Sequence, residues 1–466
     1  MNFRIFSSDT YLNRRTVLRH GLESGLIVLL GNQEAPMNYK DNTYHFRQDS
    51  TFLYYFGLDV PGLSAVIDVD AGHECIFGTD LSIDDIVWTG PQPSVNDMAQ
   101  SVGVHSTQDY NHIESIIKKA LKSGRKIHYL PPYRHDNIIR LAQWLDISTE
   151  EVMLQPSLPL IKKVISQRSI KEDCEITEID HAVNITTDMH LAAMQHAKPG
   201  LKEYELVSLV HQEAIKGGGN LAFPIILTTD GQTLHNHYHG NTLRDGQMIL
   251  CDAGAENDMH YAGDMTCTFP VGPAFTSRQK DIYQIVLDTH TKAVEMLQPG
   301  IQYRDIYLQA CRNIFNGLKS LHLTKGDADE AVAAGAHAMF FQCGLGHMMG
   351  LDVHDMEDLG EQYVGYTTTL KKSTQFGIKS LRLARELQSG FVLTVEPGIY
   401  FIPTLIDMWR AEGRCRDFIN YEVLEKYKDF SGIRVEEDFL ITQDGYRLLG
   451  RSLPKTIEEI EDLRRK

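Results

Sequence analysis

The sequence predicts an α/β unit at the N-terminal end followed by an α+β unit built from two similar halves. Three observations carry that prediction. An early run, Leu26–Leu30 (LIVLL), is apolar throughout, as a strand covered on both faces is. Two helix pairs recur about one hundred residues apart, around the matching segments KPGLKEYEL and QPGIQYRDI. Carboxylates at Asp252, Glu396 and Glu436 fall on or beside apolar strands, where an unpaired charge is costly.

Size and charge bound the answer first. A chain of 466 residues has room for two or three domains and a sizeable core. Lys and Arg number 45 against 62 Asp and Glu, a net charge of −17. That balance argues against a nucleic-acid partner or an anionic membrane surface. There is no 18-residue apolar run, and residues 1–15 lack the apolar core of a signal peptide. The seven cysteines are scattered without a CxxC, which fits reduced thiols in a cytoplasm.

Residues 1–160 read as the first domain. Leu26–Leu30 and Leu63–Val69 are strands, Ile113, Ile116, Ile117, Ala120 and Leu121 have helical spacing, and Lys126–Leu130 is a further strand. The aromatic stretch from Phe46 to Gly57 reads as core with an edge, a partner surface being the alternative. Pro156 and Pro159 mark the boundary, so residues 161–466 form the second domain.

The second domain opens with a long helix from Ile170 to about His196, then KPG, then a helix from Glu203 to Ile215 that stops at Gly217–Gly219. In the second half Thr276 and Gln279 make a capping box for a helix carrying Ile282, Ile285, Val286, Ala293 and Met296. QPG ends it, and another helix begins near Asp305. Two such halves leave a ligand site between them.

The chemistry concentrates in Met248–Pro270. Met248, Leu250 and Asp252 share a strand face by the period of two, and a turn returns the chain to Asp264. Two acids brought that close repel unless positive charge lies between them. Taken alone, the hairpin also fits a pair of solvated or capping acids. Ahead of it, Leu234–His239 (LHNHYH) places three histidines in five residues. Later, His347 and His354 lie seven apart among glycines and apolar residues. Glu396 ends the apolar strand of FVLTVEPGIY, where Pro397-Gly398 is expected to terminate pairing. Within GIRVEEDFL, alternation puts Arg434, Glu436 and Asp438 on one face.

Two Asp, two Glu and at least one His, without cysteine, suit Mn²⁺, Co²⁺ or Zn²⁺. Four carboxylates in one cavity need about that much positive charge, which two divalent ions supply. Such a pair can hold a hydroxide between them for hydrolysis.

In order, these segments resemble the metallopeptidase family of prolidase, aminopeptidase P, creatinase and methionine aminopeptidase, with its pita-bread fold. The pattern DxG, D, GHxxG, EPG, E falls on Asp252, Asp264, His347, Glu396 and Glu436. Phe46-Arg47-Gln48-Asp49 is similar to a segment of the N-terminal domain of prolidase and aminopeptidase P. The DMTCT wording, LRLAREL and the interval from Glu396 to Glu436 most resemble eukaryotic-type prolidases.

The resemblance implies two divalent metal ions per chain, Mn²⁺ foremost and Co²⁺ or Zn²⁺ as alternatives. Asp264 and Glu436 would bridge them, Asp252 would complete one site, and His347 with Glu396 the other. Glu396 would also shuttle protons. His354 and a histidine of the 235–239 cluster would face the substrate carbonyl, His235 being preferred and His237 its competitor. Arg434 would orient carboxylates, and Arg382 would bind the carboxylate of a dipeptide. Cys343 departs from the family's HGLGH, replacing its first histidine. The implied activity is hydrolysis of Xaa-Pro bonds in small peptides with proline second, Xaa-Pro dipeptides first. The alternatives are an Xaa-Pro aminopeptidase acting on longer peptides and, against the presence of all five ligands, a non-catalytic binding module. A homodimer is implied as well.

Overall fold

The computed structural model describes residues 4–465. It divides into two compact units: the chain up to Arg168 with Asp358–Gly360, and Ser169–Glu357 with the chain from Glu361 on. The boundary expected after residue 160 falls inside the helix Leu158–Ser169, and the division comes at that helix's end. Pro159 lies in the first turn, where the missing N–H breaks no helical bond.

The first unit is built on five strands in the order Thr107–Gln108, His73–Phe77, Ser64–Asp68, Leu26–Leu30 and Ile127–His128. The inner pairs are antiparallel and both edge pairs parallel. Ile117 of helix Ile113–Lys122 and Leu141 and Trp144 of helix His135–Leu145 join Leu26, Val28, Val66 and Phe77 in one core. The aromatic stretch contributes core, but as a helix: Ser50–Phe56 is buried along its whole length, capped by Asp49 and ended by Gly57 at φ 64°. Gln48 anchors it. Its Oε1 accepts from the backbone N–H groups of Asn32 and Asp49, and its amide donates to the carbonyl of Val60.

The second unit repeats one design. Helices Asp173–His196 and Glu203–Lys216 precede a sheet of Ile226–Thr228, Met248–Ala253 and Met265–Pro270. Helices Ser277–Glu295 and Tyr303–Ser320 precede a sheet of Val392–Val395, Glu437–Ile441 and Tyr446–Leu448. Each helix pair turns through a glycine in the left-handed region, Gly200 at φ 96° and Gly300 at φ 88°. Each then makes an antiparallel bridge two residues on, Lys202 to Thr242 and Gln302 to Glu386. Thr276 and Gln279 form the expected capping box. This is the pita-bread arrangement with its internal two-fold repeat.

The halves meet where both sheets run out. Thr266 bridges Glu436, and the Glu436 N–H donates to the Thr266 carbonyl at 3.0 Å. Pairing does not end at Pro397-Gly398 as expected; it changes ladder. Val392–Val395 pairs with Glu437–Ile441, and Gly398–Tyr400 pairs with Gly432–Arg434. Pro397 has no N–H to continue the first ladder. The gap between the ladders holds Glu396 on one strand and Glu436 on the other, free to turn out of the sheet. Among the described residues no helix is long and apolar enough to cross a membrane.

Candidate metal centre

Antiparallel pairing sets Asp252 opposite Thr266, which places Asp264 beside Asp252 at the end of the hairpin. The period of two puts Asp264, Thr266 and Thr268 on the face that carries Asp252. Asp264 is held from behind, its N–H donating to Asp438 Oδ2 at 3.0 Å. Glu436 Oε2 accepts from the Thr266 hydroxyl at 2.6 Å. Arg434 donates Nε–H to the same hydroxyl at 2.9 Å, Nη1–H to the Tyr400 hydroxyl at 2.9 Å, and Nη2–H to Asp252. Its three-way anchorage aims the one buried guanidinium of this cluster at the Asp252 carboxylate.

His347 Nδ1 lies 3.1 Å from the Met348 carbonyl, which can only accept, so the proton sits on Nδ1. In the neutral ring Nε2 is then the atom with the free lone pair, and it faces Asp264 Oδ2 at 3.3 Å and Glu396 Oε1 at 3.8 Å. That tautomer is the one a metal ligand needs. Ligand atoms of Asp264, His347 and Glu436, all buried, lie within 4.8 Å of one another.

The charges do not balance within the protein. Burial, reinforced by the charge of Asp252, pushes the Asp264 carboxyl up to about 7. Burial and the charges of Asp264, Glu396 and Asp252 raise Glu436 well above the carboxylate range. Glu396 is raised too, by burial and then by Asp264, against the opposing pull of His347 and Arg434. Asp264 Oδ1 is buried without a hydrogen-bond partner. An orphaned carboxylate oxygen, anions short of countercharge and an imidazole lone pair among them fit a divalent cation.

All nine predicted site residues line one cavity of about 470 Å³: His235, Asp252, Asp264, His347, His354, Arg382, Glu396, Arg434 and Glu436. The His354 ring lies tilted by 38° against His347 with centroids 4.0 Å apart, and its Nδ1 faces Glu357 Oε2 at 3.2 Å. Of the three clustered histidines, His235 and His237 line the cavity, whereas His239 Nε2 is tied to the Ile225 carbonyl at 3.1 Å. Burial holds His235 below its ordinary value; Asp252 opposes, while Arg434, Arg382 and His354 add to the lowering. Cys343 lines the cavity beside Tyr400. Burial, with the Glu396 charge, pushes its thiol up to about 12, so it stays neutral.

Sequence reasoning passed over four contributors. Thr266 and Tyr400 were accessible to it, since each sits an even number of residues from an acid of the site. Phe223 and Pro224, which give the cavity an apolar wall, precede the strand Ile226–Thr228 without any periodic signal.

A cavity that gathers buried carboxylates and an imidazole on two repeated α+β halves suits a divalent metal ion. The chain belongs to metallopeptidase family M24, whose profile matches residues 177–443; residues 11–129 match the aminopeptidase P N-terminal domain. Among curated relatives, the Xaa-Pro dipeptidase of Homo sapiens is 33% identical over 94% of this chain and 88% of its own length. A probable Xaa-Pro aminopeptidase of Aspergillus niger is 30% identical over 94% of this chain and 93% of its own. Among solved structures, zinc-substituted E. coli aminopeptidase P in complex with product superposes with a TM-score of 0.81. It is 28% identical and aligns over 99% of both chains.

Proposed function

We propose that the chain hydrolyses Xaa-Pro bonds in small peptides, taking Xaa-Pro dipeptides first, with two divalent ions held by Asp252, Asp264, His347, Glu396 and Glu436. The observation that carries the reading is the convergence of these five side chains on one cavity with His235, His354 and Arg382. Mn²⁺ is the first choice, with Co²⁺ and Zn²⁺ as alternatives that the oxygen-rich set also suits. Bound there, the ions would supply Lewis acidity toward the scissile carbonyl and acidify a water.

The chain's own residues would do the rest. Glu396, partly exposed to the cavity and raised by burial, takes the proton of the attacking water and delivers it to the prolyl nitrogen as the bond breaks. His354, with His235 across the cavity, donates to the carbonyl oxygen as negative charge grows there. Arg434 keeps the Asp252 carboxylate aimed, and Thr266 does the same for Glu436. Arg382 pairs with the terminal carboxylate of a dipeptide. An Xaa-Pro bond has no N–H on its proline and restricts the residue before it, so general peptidases that read an extended N–H-bearing backbone are disfavoured.

Relatives named for both activities support a second reading, an Xaa-Pro aminopeptidase acting on longer peptides. The two are separated by kcat/KM on Gly-Pro and Ala-Pro against Gly-Pro-Xaa tripeptides in Mn²⁺. Faster turnover of the tripeptides would overturn the dipeptidase reading. Seven free cysteines support a reducing, cytoplasmic setting, and we extend the reading to a homodimer.

A further inference from the structure

We propose that Glu357 is a positioning residue that clamps His354 and Arg382 to one carboxylate, fixing the spacing between carbonyl and carboxylate recognition. The inference rests on the reading of those two side chains as substrate-facing. Glu357 opens the short helix Glu357–Leu359, where its N–H donates to the His354 carbonyl at 3.3 Å. That tight turn brings its Oε2 to 3.2 Å from His354 Nδ1. The same oxygen accepts from Arg382 Nη1 at 2.5 Å, across 25 residues of chain. One atom thus staples two segments that share no regular secondary structure. The cavity lining includes His354 and Arg382 but not Glu357, so the carboxylate acts from behind the wall.

The donors left over are the useful ones. In the imidazolium form, with Nδ1–H directed at Glu357, His354 keeps its Nε2–H for the cavity. With Nη1 committed, Arg382 keeps Nε and Nη2, two parallel donors that match a carboxylate. Neither makes a hydrogen bond among the described residues. Glu357 Oε1 is buried without a hydrogen-bond partner, so the group's stability in the wall depends on its two cationic or donor partners through Oε2. Burial alone would raise this carboxyl. The His354 hydrogen bond and the neighbouring guanidinium of Arg382 outweigh it and hold the group below its ordinary value.

The test uses the metal-loaded full chain with Gly-Pro and Gly-Pro-Gly. Glu357→Ala should raise KM for Gly-Pro and lower kcat for both peptides, each by about tenfold, the scale of a lost supporting hydrogen bond. KM for Gly-Pro-Gly and the bound metal should not change. Glu357→Gln, which keeps an acceptor oxygen, should restore most of the loss. In an Arg382→Ala background Glu357→Ala should no longer move KM for Gly-Pro, and in a His354→Ala background it should no longer move kcat. Unchanged constants, a lowered KM for Gly-Pro or additive losses in both backgrounds would overturn the clamp. An Arg382→Ala variant with wild-type KM for Gly-Pro overturns the carboxylate reading of Arg382 instead. The clamp is then decided by the kcat coupling to His354.

Discussion

His347 Nε2 stands 3.3 Å from Asp264 Oδ2, while its Nδ1–H is directed at the Met348 carbonyl on the far side. Asp264 from the first half and His347 and Glu436 from the second bring their ligand atoms within 4.8 Å of one another. Saturation with Mn²⁺ should therefore load two ions per chain. Asp264→Asn should lose metal together with activity, since an amide oxygen brings no compensating charge. Elemental analysis that never exceeds one ion per wild-type chain would sink the two-ion reading.

The same geometry fixes a pH dependence of the metal-free protein. Asp264 titrates near 7 in the folded chain, raised by burial and the Asp252 charge, and near its ordinary acidic value when unfolded. A raised carboxyl contributes stability that is fully present below the unfolded pKa and is lost as pH rises through the folded one. Between about pH 4 and 7 the metal-free wild type should therefore lose melting temperature relative to metal-free Asp264→Asn, which has no such proton. Added Mn²⁺ should cancel the loss, because the ion takes the proton's place. Parallel melting profiles for the two proteins would refute the assignment.

The acids of this site were legible because strand periodicity reports faces. Asp252, Thr394 and Glu396, and Arg434, Glu436 and Asp438 could be placed by counting in twos. Counting fails where backbone leaves a ladder. The exchange of partners at Pro397 depends on the distant strand Gly432–Arg434, and no local pattern announces it. The helix Ser50–Phe56 was hidden for another reason: all its faces are buried, so its sequence has no polar stripe to reveal a period. Glu357 opens a single three-residue helical turn too short to show a period, and its link to Arg382 is tertiary.

Arg434 is 4% exposed and gives donors to Asp252, Thr266 and Tyr400. Removing one partner of a buried pair strands the other. Arg434→Ala should lower the stability of the metal-free chain by about 3–5 kcal/mol. Its effect on the loaded protein should appear as metal affinity weakened about 10- to 100-fold. Lysine cannot reproduce three donors in a plane and should rescue only part of the loss. Urea unfolding and metal titration measure the two effects separately. A variant with wild-type values in both would remove Arg434 from the site.

His354 packs its ring against a candidate ligand, yet its Nδ1 faces Glu357 and the residue lines the cavity. His354→Ala should keep its metal and most ground-state affinity while kcat falls by about 10²-fold, the scale of a lost oxyanion donor. Should metal content collapse instead, the roles of His347 and His354 must be exchanged.

Arg382 decides between dipeptides and longer chains. Its guanidinium lines the cavity with one edge on Glu357, and two donors remain for a ligand. A dipeptide ends in a prolyl carboxylate, which accepts two parallel charge-assisted bonds from such an edge. In a tripeptide the same position is a neutral amide, and the guanidinium would be desolvated for a weaker partner. A site built on a hydrogen-bonded charge rejects the analogue lacking it by more than lost contact, because its own group is left unpaired. Arg382→Ala should therefore raise KM for Gly-Pro about 100-fold, the value of a charge-assisted hydrogen bond near 3 kcal/mol. KM for Gly-Pro-Gly should stay within about threefold or improve, since that substrate never had the carboxylate at this position. If the variant keeps the wild-type ratio of dipeptide to tripeptide turnover, Arg382 does not read chain length, and the aminopeptidase reading takes precedence.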